Sequence, residues 1–146
     1  MKMGSKANRI IVAIDASPIS ETVMREAAEI ARSLSSDVYV ISVIPVPSLV
    51  MSESDVDSKE IRAQGDSYAV LHNSLITKYF SDTKLLVESK VLHGDPVKKI
   101  CEFAESMNAR LIVLGSRGMG HLQAFLLGST SEGVLRNAKT SVMVVK

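Results

Sequence analysis

The sequence predicts a three-layer α/β domain, with helices on both faces of a five-stranded parallel sheet. Three observations predict it. Short apolar, β-branched runs recur along the chain, as strands buried on both faces require. Segments with helical apolar spacing separate those runs. The length of 146 residues suits one domain with a sizeable core. Strict alternation of strand and helix implies a parallel sheet with right-handed crossovers.

The elements follow in order. Arg9 to Ile14 is an apolar strand that ends at Asp15. Ser17 and Pro18 read as an N-cap and a first-turn proline. Val23, Ala27, Ile30, Ala31 and Leu34 then form one helical face. Asp37 to Val43 is a second strand, stopped by Pro45 and Pro47. Met51 to Asp57 is a polar, acidic connection; its Glu53, Asp55 and Asp57 lack the glycine and distal glutamate of a calcium loop. Lys59 to Phe80 is helical, with Tyr68, Leu71, Leu75, Ile76 and Tyr79 on one face. Leu85 to Leu92 is a less apolar strand, as suits a sheet edge. Gly94-Asp95-Pro96 turns into a helix with Asp95 as N-cap and Pro96 at its first position. Val97, Ile100, Cys101, Ala104 and Met107 form the apolar face of that helix, and Asn108 suits a left-handed end. Arg110 to Leu114 is a fourth apolar strand, followed by a glycine-marked loop from Gly115 to Gly128. Ser129 and Glu132 have capping-box spacing and open the last helix. Ser141 to Val145 is the fifth strand. Residues 9–146 read as a single domain, and residues 1–8 as a flexible or appended segment.

Composition narrows the function. Lys and Arg number 17 against 16 Asp and Glu, a net charge of +1. That excludes a domain whose binding to nucleic acid rests on net charge. Cys101 is the single cysteine, which excludes an internal disulfide and a cysteine-built zinc site. No apolar run approaches the ~18 residues of a membrane span. The polar N-terminus lacks the apolar core of a signal peptide, so a cytoplasmic location is expected.

In a doubly wound sheet, ligands bind beyond the carboxyl ends of the strands, where the strand order reverses. Asp15, Val43 and the Gly115 loop occupy such ends. In the loop, two residues separate Gly115 from Gly118, and nine separate Gly118 from Gly128. Glycines permit positive φ and close approach of a ligand to the backbone. The loop ends at a helix N-terminus, whose free N–H groups favour phosphate, and Ser129 and Ser131 add hydroxyls there. A P-loop is excluded, because His121 and Leu122 stand where its lysine and hydroxyl residue belong. A dinucleotide fingerprint is excluded as well, because the first strand runs into Asp-Ala-Ser-Pro. Arg117 either pairs with phosphate or lies on the surface. His93 and His121 read as solvated loop histidines, and Cys101 as a small buried hydrophobe.

The spacing of Gly115, Gly118, Gly128 and Ser129 resembles the nucleotide-binding branch of the universal stress protein (UspA) family. Ile10 to Asp15, the Gly94-x-Pro96 turn and Ser141 to Val145 are similar to it as well. The resemblance spans nearly the whole chain. It implies a Rossmann-like sheet in strand order 3-2-1-4-5 and ATP, or AMP or ADP, with Mg or Mn. It also implies Asp15 at the ribose, Val43 at the adenine and Gly115 beside the ribose. Gly118, Gly128, Ser129 and Ser131 then surround the phosphates. Ala16 and Ser141 depart from the family pattern, which commonly has Gly and Pro there. The expected function is nucleotide-dependent regulation in a stress response, through an unidentified protein partner. The alternatives are a slow ATPase or phosphotransferase on the same site, and a nucleotide-free structural dimer. The motif has no lysine and no evident catalytic base, so no residue is assigned as catalytic. The uncharged fifth strand is expected at a sheet edge, where two copies would pair as a homodimer.

Overall fold

A computed structural model of the chain describes residues 6–46, 59–117 and 127–146. Strands β1 (Ala7–Ala13), β2 (Asp37–Ile44), β3 (Val87–His93), β4 (Ala109–Gly115) and β5 (Ser141–Val145) form one sheet. The order is β3-β2-β1-β4-β5, and every neighbouring pair is parallel. The helices are α1 (Ile19–Leu34), α2 (Lys59–Phe80), α3 (Pro96–Ser106) and α4 (Ser129–Asn137). The expected architecture and strand order are both present.

β1 is the central strand, and its side chains alternate between two cores. Ile10 and Val12, with Ile14 just beyond, pack against Val23, Met24 and Ala27 of α1 and Leu75 and Phe80 of α2. Ile11 and Ala13 point the other way, to Ile100 and Ala104 of α3 and Val134 of α4. Ile10, Ile11 and Val12 have no exposed surface. Such a strand has no polar face, which is why its sequence is a continuous apolar run. β3 lies at one edge and is correspondingly exposed through its middle.

Several boundaries differ from the sequence expectation for local physical reasons. β1 starts at Ala7, because the Ala7 N–H bonds to the Asn108 carbonyl at 2.9 Å. Asn8 adds side-chain bonds to the Leu34 and Ser35 carbonyls. Ser17 does not cap α1: Pro18 holds the N-cap position, and the Ser17 hydroxyl is buried without a partner among the described residues. The turn before α1 instead closes on Asp15, whose Oδ1 accepts from the Ser17 N–H at 2.8 Å. The capping box at Ser129 is also not formed. Gly128 is the N-cap, and Glu132 pairs with Arg136 one turn later. The buried face of α1 runs through Met24 and Ala28, leaving Leu34 37% exposed. Asp95 caps α3 as expected, accepting from the Lys98 N–H at 2.9 Å. Asn108 takes a left-handed φ of 48°.

Gly133 of α4 faces Val97 of α3 at close range. A Cβ placed there would lie 2.5 Å from Val97 Cγ2 and 3.1 Å from Cγ1. In an open helix, Gly→Ala stabilises by about 1 kcal/mol. Here the branched valine must repack, at a cost of about 1–3 kcal/mol. Gly133→Ala is therefore expected to lower stability, by up to about 2 kcal/mol in urea unfolding. A gain would place Val97 away from Gly133.

Candidate functional site

β2 and β4 flank β1, and their crossovers leave in opposite directions along the sheet. Strand order therefore reverses at the carboxyl end of β1, which opens a crevice. A cavity of about 680 Å³ occupies it. That volume lies within the range typical of small-molecule sites. The cavity is lined by Asp15 and Ala16 after β1, by Ser42 and Val43 of β2 with Pro45 just beyond it, and by Gly115 at the end of β4 with Arg117 after it. Gln64, Ser67 and Tyr68 of α2 form one wall, and Gly128 to Ser131 at the start of α4 form another.

Asp15, Val43, Gly115, Gly128, Ser129 and Ser131 thus border one cavity, as do Arg117 and Pro96. Gly118, His121, Glu53, Asp55 and Asp57 lie outside the described residues. The glycines act differently from the expectation of positive φ. Gly128 has φ −68° and ψ 159°, an ordinary extended conformation. Gly115 is required for space: a Cβ there would meet Ile19 Cγ2 at 2.9 Å and the Arg117 carbonyl oxygen at 3.3 Å. Gly94 is the glycine with positive φ among the described residues, at 133°.

Hydroxyl groups hold the strand ends. The Ser131 hydroxyl donates to the carbonyls of Ser116 and Gly128, at 3.1 and 3.0 Å. Its proton therefore secures the loop closure that the Gly128 N–H to Ser116 carbonyl bond also makes. Ser129 is exposed, at the first position of α4. Residues 128–131 at that helix end line the cavity, and the N–H groups that the first turn of a helix leaves unpaired suit an anion. Ser20 spans Asp15, accepting from its N–H at 3.2 Å and donating to its carbonyl at 2.6 Å.

Sequence reasoning passed over α2. Burial first, and the Asp15 charge second, push the Tyr68 phenol above its ordinary range, while a hydrogen bond with the Ala16 backbone acts in the opposite direction. Tyr68 therefore stays protonated at neutral pH and faces the Asp15 turn. His72, one turn further along α2, is fully buried and bonds Ser42 Oγ through Nε2 at 2.7 Å. Its Nδ1 has no partner among the described residues. Cys101 is half-buried, and burial raises its thiol pKa, so the thiolate is disfavoured. Among the described residues no cluster of three His, Cys, Asp or Glu side chains could hold a metal ion, and no helix is long and apolar enough to cross a membrane.

The fold and its crevice define a doubly wound α/β domain whose cavity borders the start of a helix. The sequence pattern of the Universal stress protein family matches residues 6–146, and the chain belongs to that family. Universal stress protein MJ0531 of Methanocaldococcus jannaschii is 30% identical over 142 residues, covering 94% of this chain and 81% of that protein. The structure of UspA from Lactobacillus plantarum superposes with a TM-score of 0.84, covering 98% of this chain and 100% of that one, at 20% identity. The Archaeoglobus fulgidus universal stress protein in complex with dAMP gives a TM-score of 0.71 at 27% identity, covering 94% and 97% of the two chains.

The buried histidine has a measurable consequence. Burial lowers its pKa from 6.5 to about 4. As pH falls, the unfolded chain gains this proton before the folded one, so stability falls across the window between those values. Between about pH 7.5 and pH 5 the expected loss from His72 is about 2 kcal/mol. Urea unfolding at the two pH values should give a clearly smaller difference in His72→Gln. Equal differences in both proteins would mean that His72 titrates normally when folded.

Proposed function

We propose that the chain binds an adenine nucleotide, ATP in the working state, in the cavity beyond β1, β2 and β4, and that occupancy regulates a stress-response partner. The observation that carries this reading is the convergence of Asp15, Val43, Gly115 and the α4 N-terminus on one cavity. It joins a carboxylate suited to sugar hydroxyls, a strand-end backbone suited to a flat base, and a helix end suited to phosphate. The dAMP complex of the Archaeoglobus fulgidus protein supports the ligand class. Asp15 is the one carboxylate among the described lining residues. A Mg or Mn ion accompanying ATP would therefore be held mainly by phosphate oxygens and water. Among the described lining residues Arg117 is the single cation, and no lysine is present. This favours binding over rapid phosphoryl transfer, which requires strong charge stabilisation and a positioned nucleophile. The absence of ATP turnover by the pure protein at saturating Mg would agree with that; fast turnover would replace the reading with the ATPase.

Asp15→Asn isolates the ligand contact, because its amide oxygen can still accept from the Ser17 N–H that closes the turn. The expected effect is about tenfold weaker ATP binding by calorimetry, the size of one charge-assisted hydrogen bond. The loss should shrink for a dideoxy analogue. An equal loss for both nucleotides would remove Asp15 from the ribose.

A homodimer through β5 is part of the same reading. β5 pairs with β4 on one side and ends the sheet on the other. Its sequence, Ser-Val-Met-Val-Val, carries no charge or proline to block a further strand. Two copies across a two-fold axis would pair antiparallel. Met143→Pro removes a backbone donor and should shift light-scattering mass toward the monomer. A folded variant that stays dimeric on dilution would put the interface elsewhere.

A further inference from the structure

The peptide unit between Ile14 and Asp15 lies just past the last residue of β1, where the cavity begins. Side-chain hydroxyls hold both of its polar ends. The Ile14 carbonyl accepts from Ser42 Oγ at 2.7 Å, and the Asp15 N–H donates to Ser20 Oγ at 3.2 Å. A peptide plane is rigid, so fixing its C=O and N–H fixes where the Asp15 Cα leaves the strand, and the carboxylate is then oriented by the Ser17 N–H on Oδ1 at 2.8 Å.

The Ser42 hydroxyl can do this only if its rotor is set. It has one proton, and the Ile14 carbonyl takes it. His72 Nε2, 2.7 Å from the same oxygen, must then be the donor. This makes the imidazole the neutral Nε2–H tautomer. Its Nδ1 is left as a bare acceptor, in agreement with the lack of a partner for that atom among the described residues. Ser42 is 2% exposed and His72 0%, so water does not compete at either end. On its helix face His72 has Tyr68 one turn back, with ring centroids 6.2 Å apart, and Leu75 and Ile76 ahead; among the described residues, Ser42 is its side-chain hydrogen-bond partner.

We propose that His72 is a positioning residue for the binding cavity: its Nε2–H locks the Ser42 hydroxyl onto the Ile14 carbonyl and so sets the Asp15 turn for the ligand. The directed chain runs from α2 through β2 to the end of β1, and each step has one donor and one acceptor. It rests on the reading of the cavity as a nucleotide site, and it deepens that reading by naming what anchors the backbone from which the Asp15 turn starts.

The test has one arm that needs no variant and no ligand. Nitrogen-15 NMR of the nucleotide-free wild-type protein at neutral pH should report His72 with the proton on Nε2 and a bare Nδ1. The opposite tautomer would make Nε2 accept the Ser42 proton and leave the Ile14 carbonyl unheld, which overturns the proposal. The second arm compares His72→Gln, whose amide nitrogen reaches the Nε2 position, with His72→Asn, which is too short. Hydrogen exchange at the Asp15 N–H, referenced to Val12, should speed up in His72→Asn and return toward wild type in His72→Gln. ATP affinity should follow the same order, falling about tenfold in the asparagine variant for one misplaced hydrogen bond. Equal exchange and affinity in the two variants would reduce His72 to core packing and refute the chain. Should His72→Asn not fold, Ser42→Ala replaces it, with the same expected losses and the same refuting outcome. If the wild-type protein binds no adenine nucleotide, the cavity reading fails, while the tautomer and exchange results still decide whether His72 sets the Asp15 turn.

Discussion

The double burial of β1 is the constraint on which the rest of this structure depends. From Ile10 to Ala13 the strand is covered on both faces and carries no polar side chain, so polar groups are confined to its ends: Asn8 and Arg9 at the start, Asp15 just past the carboxyl end. Its two parallel neighbours are reached by crossovers on opposite faces, α1 leading to β2 and α3 to β4. The split leaves a gap where β1 stops. The cavity is what remains when α1 and α2 cover one face of the sheet and α3 and α4 the other.

At the rim of that gap the backbone is no longer satisfied by neighbouring strands, and serines take over. Ser42, Ser20 and Ser131 bond to the ends of the strands and of the loop after β4. Serine is short, polar and able both to donate and to accept, so it can fix a turn without filling the space a ligand needs. The α1–α2 side is tied further from the cavity by Glu21, which accepts from the Tyr79 hydroxyl at 2.8 Å and pairs with Lys78. Those contacts are exposed and add little energy; they keep α2 in register with α1.

The legible parts of this sequence are those written in hydrophobic periodicity. α2 runs from Lys59 to Phe80 as its spacing predicts, and β5 from Ser141 to Val145. The central strands stand out because double burial leaves their middles almost wholly apolar. Caps were misread where a local pattern competed with a turn: Ser17 has the right neighbours for an N-cap, but Asp15 closes the chain first. Of the site residues, Asp15, Val43, Gly115, Gly128, Ser129 and Ser131 border one cavity and Gly118 lies outside the described residues; the wall from α2 was missed. His72 sits at an apolar position of a helical face and is easily discounted as polar. Its signal was Ser42, a small buried hydroxyl inside the apolar run of β2, because a buried polar group must find a partner somewhere. No local rule could say that the partner stood 30 residues away.

The sheet order also bears on how the chain behaves while it is being made. β1, α1 and β2 can associate as soon as they emerge, since they are consecutive. The β1 residue Ala7, however, pairs with Ala109, and among the described residues the face carrying Ile11 and Ile41 is covered by α3 and α4. Until the ribosome has delivered those helices, a half-built sheet presents an unsheathed apolar surface and an open strand edge. Domains with such distant pairings fold slowly, and their partial forms are prone to stick to one another. For this protein, the window between synthesis of β2 and synthesis of α4 is therefore when a chaperone has most to protect.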